Sequence, residues 1–189
     1  MHGRRLYPLL LIMKRENKSI RHTKCLVAAA LLSALSFVFM YIGTLTGVMD
    51  LCAVVVGALC CAFAVVELRG VWPWLLCTVT GALCLIMLPD KFIALEYITL
   101  GGLYPILKAF FERLPKLPSW VLKITVFNVM LTACLLLAKF VLSVPSDEIG
   151  FSIIVYLVGN AYFIFYDYAL TVFISYYMVK LRHRMKIRF

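Results

Sequence analysis

The sequence predicts an all-α integral membrane protein: six transmembrane helices with both termini on the cytoplasmic side. Three observations predict it. Hydrophobic residues make up 64% of the 189 positions, and the polar gaps between apolar runs are too short to hold a soluble domain. The apolar runs fall at 25–48, 51–66, 71–88, 92–107, 124–144 and 149–179, and a helix crossing the bilayer core needs about 20 such residues. The basic residues then fix a direction. Of 19 Lys and Arg, 17 lie in the tails or at alternate gaps, at Arg69, Lys108, Arg113, Lys116 and Lys123. The opposite gaps hold Asp50, Asp90, Asp147 and Glu148 with Lys91 as their cation. Basic flanks stay on the cytoplasmic side, so the odd-numbered gaps face outward.

The chain divides into a basic cytoplasmic tail at 1–24, a transmembrane domain at 25–180 and a second basic tail at 181–189. Met13 opens a basic stretch of the kind that starts a cytoplasm-first membrane protein. The dozen residues before it read either as an in-frame extension or as an amphipathic tail. The run at 25–48 is too long for a signal-peptide core and is expected to be retained. Small residues recur every fourth position on this first span, as Ala30-x-x-x-Ala34 and Ala29-x-x-x-Ser33, making flat stripes where another helix can approach closely. The second span is short and rich in Ala, Val and Cys. Trp72-Pro73-Trp74 opens the third, with proline suited to a first turn and tryptophan to the membrane interface.

The fourth span is the least lipid-like. Pro105 removes one backbone donor and, in a regular α-helix, frees the carbonyl of Gly101, which predicts a break near 101–105. Interrupted spans of this kind line a cavity or pack inside protein. The fifth span carries Asn128 and Lys139, and the sixth carries Asn160, Asp167 and several tyrosines.

Polar residues inside the bilayer are costly and therefore informative. By the 1.5 Å rise of a helix, Glu96, Lys139 and Asn160 lie roughly 7, 10 and 6 Å outward of the midplane. Asn128 and Asp167 lie about 5 Å toward the cytoplasm by the same rise. Tyr156, Asn160, Phe163 and Asp167 share one helical face, as do Tyr97, Gly101, Tyr104 and Lys108. These positions suggest an outward-opening pocket walled by spans four to six, with Glu96, Tyr97, Lys139, Tyr156, Asn160 and Asp167 as its ligand-binding residues. Glu96 and Lys139 would offer opposite charges to a zwitterionic ligand. The structural alternative is that they pair with each other, or that Lys139 snorkels to the surface. Asp167 and Asn128, at equal depth, could bond directly.

Several chemistries lack their parts. The seven cysteines all fall in apolar runs, and His2, His22 and His183 all lie in the tails, so no metal ligand set or haem site is expected. There is no Gly-x-Ser-x-Gly elbow, no carboxylate dyad and no Walker lysine loop, so neither an enzyme nor a bound cofactor is expected. The net charge of +10 sits at the membrane flanks, which favours membrane lipids with anionic headgroups over nucleic acid as its partner.

The size, the six-span plan and the basic lead into an alanine-rich first span (24–34) resemble the substrate-binding S components of energy-coupling factor (ECF) transporters. These are bacterial importers of vitamins and related micronutrients. The resemblance implies a membrane-embedded subunit of the cell membrane that captures a small-molecule substrate at the outer face. It also implies a transmembrane coupling subunit and ATPase subunits as partners, with Ala30 and Ala34 matching the stripe that docks onto the coupling subunit. No ligand-specific signature of the thiamine, riboflavin, biotin or folate binders is present, and the absence of histidine from the spans argues against the nickel and cobalt branch. The alternatives are a non-transporting scaffold or assembly protein, whose polar residues only join helices, and a small secondary carrier.

Overall fold

The computed structural model describes residues 6–47, 50–68, 70–141 and 153–181, with side chains from residue 20 onward and up to 139 and 180 in the last two segments. The expected outer loop with Asp147 and Glu148 and the basic residues after 181 lie outside these. Every element among the described residues is helical: α1 (Leu6–Thr46), α2 (Asp50–Glu67), α3 (Trp72–Met87), α4 (Lys91–Glu96), a π-helical turn (Tyr97–Leu103), α5 (Tyr104–Phe111), α6 (Lys116–Val141) and α7 (Ile153–Tyr176), which runs on into a second π turn (Tyr177–Leu181). Five helical stretches are long and apolar enough to cross a membrane, with α4, the π turn and α5 acting together as one. The sixth, α3, is equally apolar but has 16 residues. It is about 24 Å long, a mismatch that tilting or local thinning of the bilayer accommodates.

The first helix is longer than the first span. Residues 6–24 of the basic segment are continuous with the span in one helix of 41 residues. At 1.5 Å per residue it is about 60 Å long, roughly twice the hydrocarbon thickness. Its physical reason lies in the sequence. Between Pro8, tolerated in a first turn, and Gly43 there is neither proline nor glycine, and Lys, Arg, Glu and Leu favour helix. Gly47 ends the helix at φ +63°, with its N–H bonded to the Gly43 carbonyl at 3.2 Å. Gly70, at φ +64°, makes the equivalent reversal before α3; both conformations suit glycine because it lacks a Cβ. Asp90 caps α4, its carboxylate accepting from the Phe92 N–H at 2.8 Å.

The broken span occupies the centre of the bundle. More than half of it, 56%, is buried, the largest share of any span. The π turn packs against α2 and α3, while α1 covers α2 and α3 from the other side. The break differs from the expected one in a way that proline chemistry explains. A π turn bonds i to i+5, so the donor missing at Pro105 strands the carbonyl of Leu100 instead of Gly101. The Tyr166 hydroxyl on α7 donates to that carbonyl at 2.6 Å, and the Cys61 thiol on α2 donates to the Gly102 carbonyl at 3.3 Å. Neighbouring helices thus satisfy what the break exposes, as a low-dielectric medium requires.

Close approach here depends on glycine. The Tyr97 ring lies 2.8 Å from where a Cβ on Gly57 would stand and 2.6 Å from one on Gly101, and Gly102 faces the Cys77 sulfur at still closer range. Tyr97, Tyr104, Phe163, Tyr166 and Leu170 continue this contact into one core; Cys25, Ala29, Cys61, Leu76, Cys77 and Ile106 form a second, smaller one. Replacing Gly102 with valine is therefore expected to lower the thermal unfolding midpoint of the detergent-solubilised protein, since overpacking costs about 1–3 kcal/mol. An unchanged midpoint would show that Cys77 and the π turn are free to move apart.

Candidate functional site

Four charged side chains meet where α5, α6 and α7 converge. Lys108 on α5 is 1% exposed and Asp167 on α7 is 3% exposed. Lys108 Nζ pairs closely with Asp167 Oδ1 and also donates to the Thr171 hydroxyl at 2.8 Å and the Asp167 carbonyl at 3.2 Å. Lys123, on the second turn of α6, reaches Asp167 Oδ2 at 3.0 Å and Oδ1 at 3.2 Å. The Tyr104 hydroxyl donates to Asp167 Oδ1 at 2.6 Å. Glu112, just past α5, closes the group by accepting from Lys108 at 3.2 Å and lying 3.9 Å from Lys123. Two ammonium groups face two carboxylates, so the cluster is neutral.

Each member arrives by helical register. Tyr104 and Lys108 on α5 and its C-cap Glu112 stand four residues apart, and Asp167 and Thr171 stand four apart on α7. The Tyr104 ring packs edge-on against Phe163, with centroids 5.1 Å apart, one turn from Asp167. The two polar faces read from the sequence on the fourth and sixth spans therefore meet. Asp167 belongs to the expected site, whereas Lys108 and Lys123 were counted with the membrane-flanking cations. The signal for Lys108 lay in its own helical face, below Tyr97, Gly101 and Tyr104. For Lys123 it lay in its distance from the start of α6, seven residues after Lys116.

Asn128 does not bond Asp167 despite the similar depth expected for them. It forms a reciprocal amide pair with Asn160, with both N–H···O bonds at 3.0 Å. Above it the Thr132 and Tyr156 hydroxyls meet at 3.0 Å. Lys123–Asp167, Asn128–Asn160 and Thr132–Tyr156 are thus three polar rungs joining antiparallel α6 and α7.

The remaining sequence candidates are dispersed. Glu96 is partly buried, Lys139 is exposed, and no ion pair joins them among the described residues. Tyr97 is fully buried in its glycine cradle; its hydroxyl and that of neighbouring Thr80 lie beside each other without meeting hydrogen-bond geometry. Ala30 and Ala34 lie exposed on the outside of α1, whereas Ala29 and Ser33 are buried against α2 and α3. Among the grooves of the described surface, three are well formed. One of about 450 Å³ lies between Val66, Trp74, Phe110 and Met178, one of about 630 Å³ follows α6 past Asn128 and Thr132, and one of about 650 Å³ opens over Lys123 and Asp167. None of the three is lined by Glu96, Tyr97, Lys139 or Tyr156.

Comparison of the chain with protein-family models, curated proteins and solved structures returns no match.

The ion cluster makes a strong energetic prediction. Asp167→Asn leaves two buried ammonium groups short of a counter-charge, a loss of about 3–5 kcal/mol. The midpoint of thermal unfolding should fall by on the order of 10 °C. Replacing the three buried members with apolar residues (Asp167→Leu, Lys108→Met and Lys123→Met) should recover most of that loss, since neutral packing avoids the desolvation cost. If Asp167→Asn alone left the midpoint in place, the lysines would have to reach water without their carboxylate.

Proposed function

We propose that this chain is the membrane-embedded substrate-binding subunit of an ATP-driven importer of small micronutrients, of the ECF S-component kind. The observation that carries the reading is the asymmetry of α1. Its two small-residue stripes are one residue apart in sequence, yet Ala29 and Ser33 are buried and Ala30 and Ala34 are left uncovered. An uncovered small-residue strip in a membrane gains nothing from lipid, and it permits a second protein to approach closely. In this reading a transmembrane coupling subunit, itself driven by ATPase subunits, covers Ala30 and Ala34. Substrate enters from the outer face, into a cavity that Glu96, Tyr97, Lys139, Tyr156 and Asn160 border, with Asp167 closer to its floor. Both termini are cytoplasmic, in keeping with the basic residues of the tails and alternate gaps.

A second reading, a non-transporting scaffold or assembly protein, is favoured by a different observation. Asp167, Lys108 and Lys123 satisfy one another, and each α6–α7 rung is complete without a ligand. Polar groups that only join helices behave this way.

Small-molecule mass spectrometry on the gently purified protein separates the two. The transport reading expects one retained metabolite, lost about tenfold in Glu96→Gln and Lys139→Met as charged hydrogen bonds are removed. No metabolite, or retention unchanged in both variants, would favour the scaffold. Ala30→Trp should leave folding and retention intact while abolishing co-purification of a coupling subunit; a variant unable to fold would make the stripe internal packing. The orientation has its own check. In a cysteine-free background, cysteine at position 147 should label from outside and cysteine at position 115 from inside, and the reverse pattern would overturn it.

A further inference from the structure

The 650 Å³ groove between α6 and α7 has two unlike walls. On α6, Lys116, Ser119, Trp120 and Lys123 follow i, i+3, i+4, i+7, so one face of the first two turns presents two cations, a hydroxyl and an indole. Across from it, α7 presents Ile164, Phe165 and Tyr168, all exposed, before Asp167 and Thr171. Polarity therefore changes along the groove, from charged at the basic end of the bundle to apolar further into the membrane.

The charges do not cancel. Lys108 and Lys123 are neutralised by Asp167 and Glu112, and the Lys123 ammonium also lies 5.5 Å from the Trp120 ring centre. Lys116 sits at the groove's mouth and has no ion-pair partner among the described residues. The groove is left with one uncompensated positive charge. Trp120, 45% exposed and one turn from the start of α6, marks the basic end of the groove as the interfacial level where amphipathic aromatic rings settle.

We propose that this groove binds one anionic phospholipid. The phosphodiester lies against Lys116 and the Ser119 hydroxyl, and an acyl chain follows Ile164 and Phe165. A single negative charge is what the groove lacks, and the apolar wall continuing from it suits a lipid better than a free phosphate. The site is independent of the transport reading above and survives its failure.

The test uses the full chain in detergent, with its unfolding midpoint followed on adding phosphatidylglycerol, phosphatidylcholine of the same acyl chains, or inorganic phosphate. Phosphatidylglycerol alone should raise the midpoint, and native mass spectrometry should retain one copy of it. Lys116→Gln should weaken that retention about fivefold, the effect of one basic residue near an anionic headgroup. Lys91→Gln, at the start of α4 and the other end of the bundle, should leave it unchanged. Equal stabilisation by phosphatidylcholine would reduce the groove to a generic lipid contact. Reproduction of the effect by inorganic phosphate would make it an anion site without a lipid, and equal losses in the two lysine variants would make it diffuse electrostatics; each of these overturns the proposal.

Discussion

Asp167 is the group on which the arrangement of the last three spans depends. Lipid tails are as apolar as leucine, so apolar surface alone gives membrane helices little reason to choose one partner over another. A buried carboxylate does give a reason. Asp167 draws Lys108 and Tyr104 from α5 and Lys123 from α6 to one point, with the half-exposed Glu112 as the second carboxylate at its edge. Fixing three helices at one level sets their rotation. The Asn128–Asn160 and Thr132–Tyr156 rungs then follow, because their residues lie on the faces already turned toward each other. Each such rung contributes modestly, about 0.6 kcal/mol and at most a few times that. Their combined effect is to specify register more than to add stability.

The first three spans solve the same problem by a different means. Close approach of small and apolar side chains holds α1, α2 and α3 together. Small residues bring α1 onto α2, and Gly57, Gly101 and Gly102 let the Tyr97 ring and the Cys77 sulfur press against backbone. Dispersion falls off steeply with distance, so a gap of even an ångström at these contacts would forfeit much of their attraction. The broken fourth span is the hinge between the two regimes. Its π turn packs by glycine against α2 and α3, while the α5 segment beyond Pro105 delivers Tyr104 and Lys108 to Asp167.

The fold class was legible because composition and periodicity are strong signals in lipid: the apolar runs, the alternate basic gaps and the proline break all lie in the sequence itself. The polar site was legible only in part. Helical spacing put Asp167 and Tyr104 on faces that do meet, but depth along a span was too coarse a guide to partners. Asn128 lies level with Asn160 and not with Asp167, which stands two turns further along the same face of α7 opposite Lys123, so depths estimated span by span misjudged the register between α6 and α7. Lys108 and Lys123 were read as flanking charges because a lysine near a span's end usually snorkels outward; here a carboxylate on a third helix draws them inward. The length of α1 was not legible from the change of basic to apolar composition, which marks where a span begins and not where a helix does; no residue there breaks the helix.

The division of labour between the two halves also explains why the uncovered alanines and the polar cluster can serve separate purposes. Ala30 and Ala34 belong to the half held by close packing, where adding a partner helix outside α1 disturbs no charged group. The polar rungs belong to the half where α6 and α7 are only 28% and 22% buried and keep most of their surface toward lipid. A change at the rungs reaches α1 only through α2 and the broken span, whose glycine contacts resist compression. Two routes join the sites: the direct contacts of α7 with α2, as at Tyr162 and Leu51, and the π turn, where Tyr97 sits in its glycine cradle and Tyr166 holds the Leu100 carbonyl.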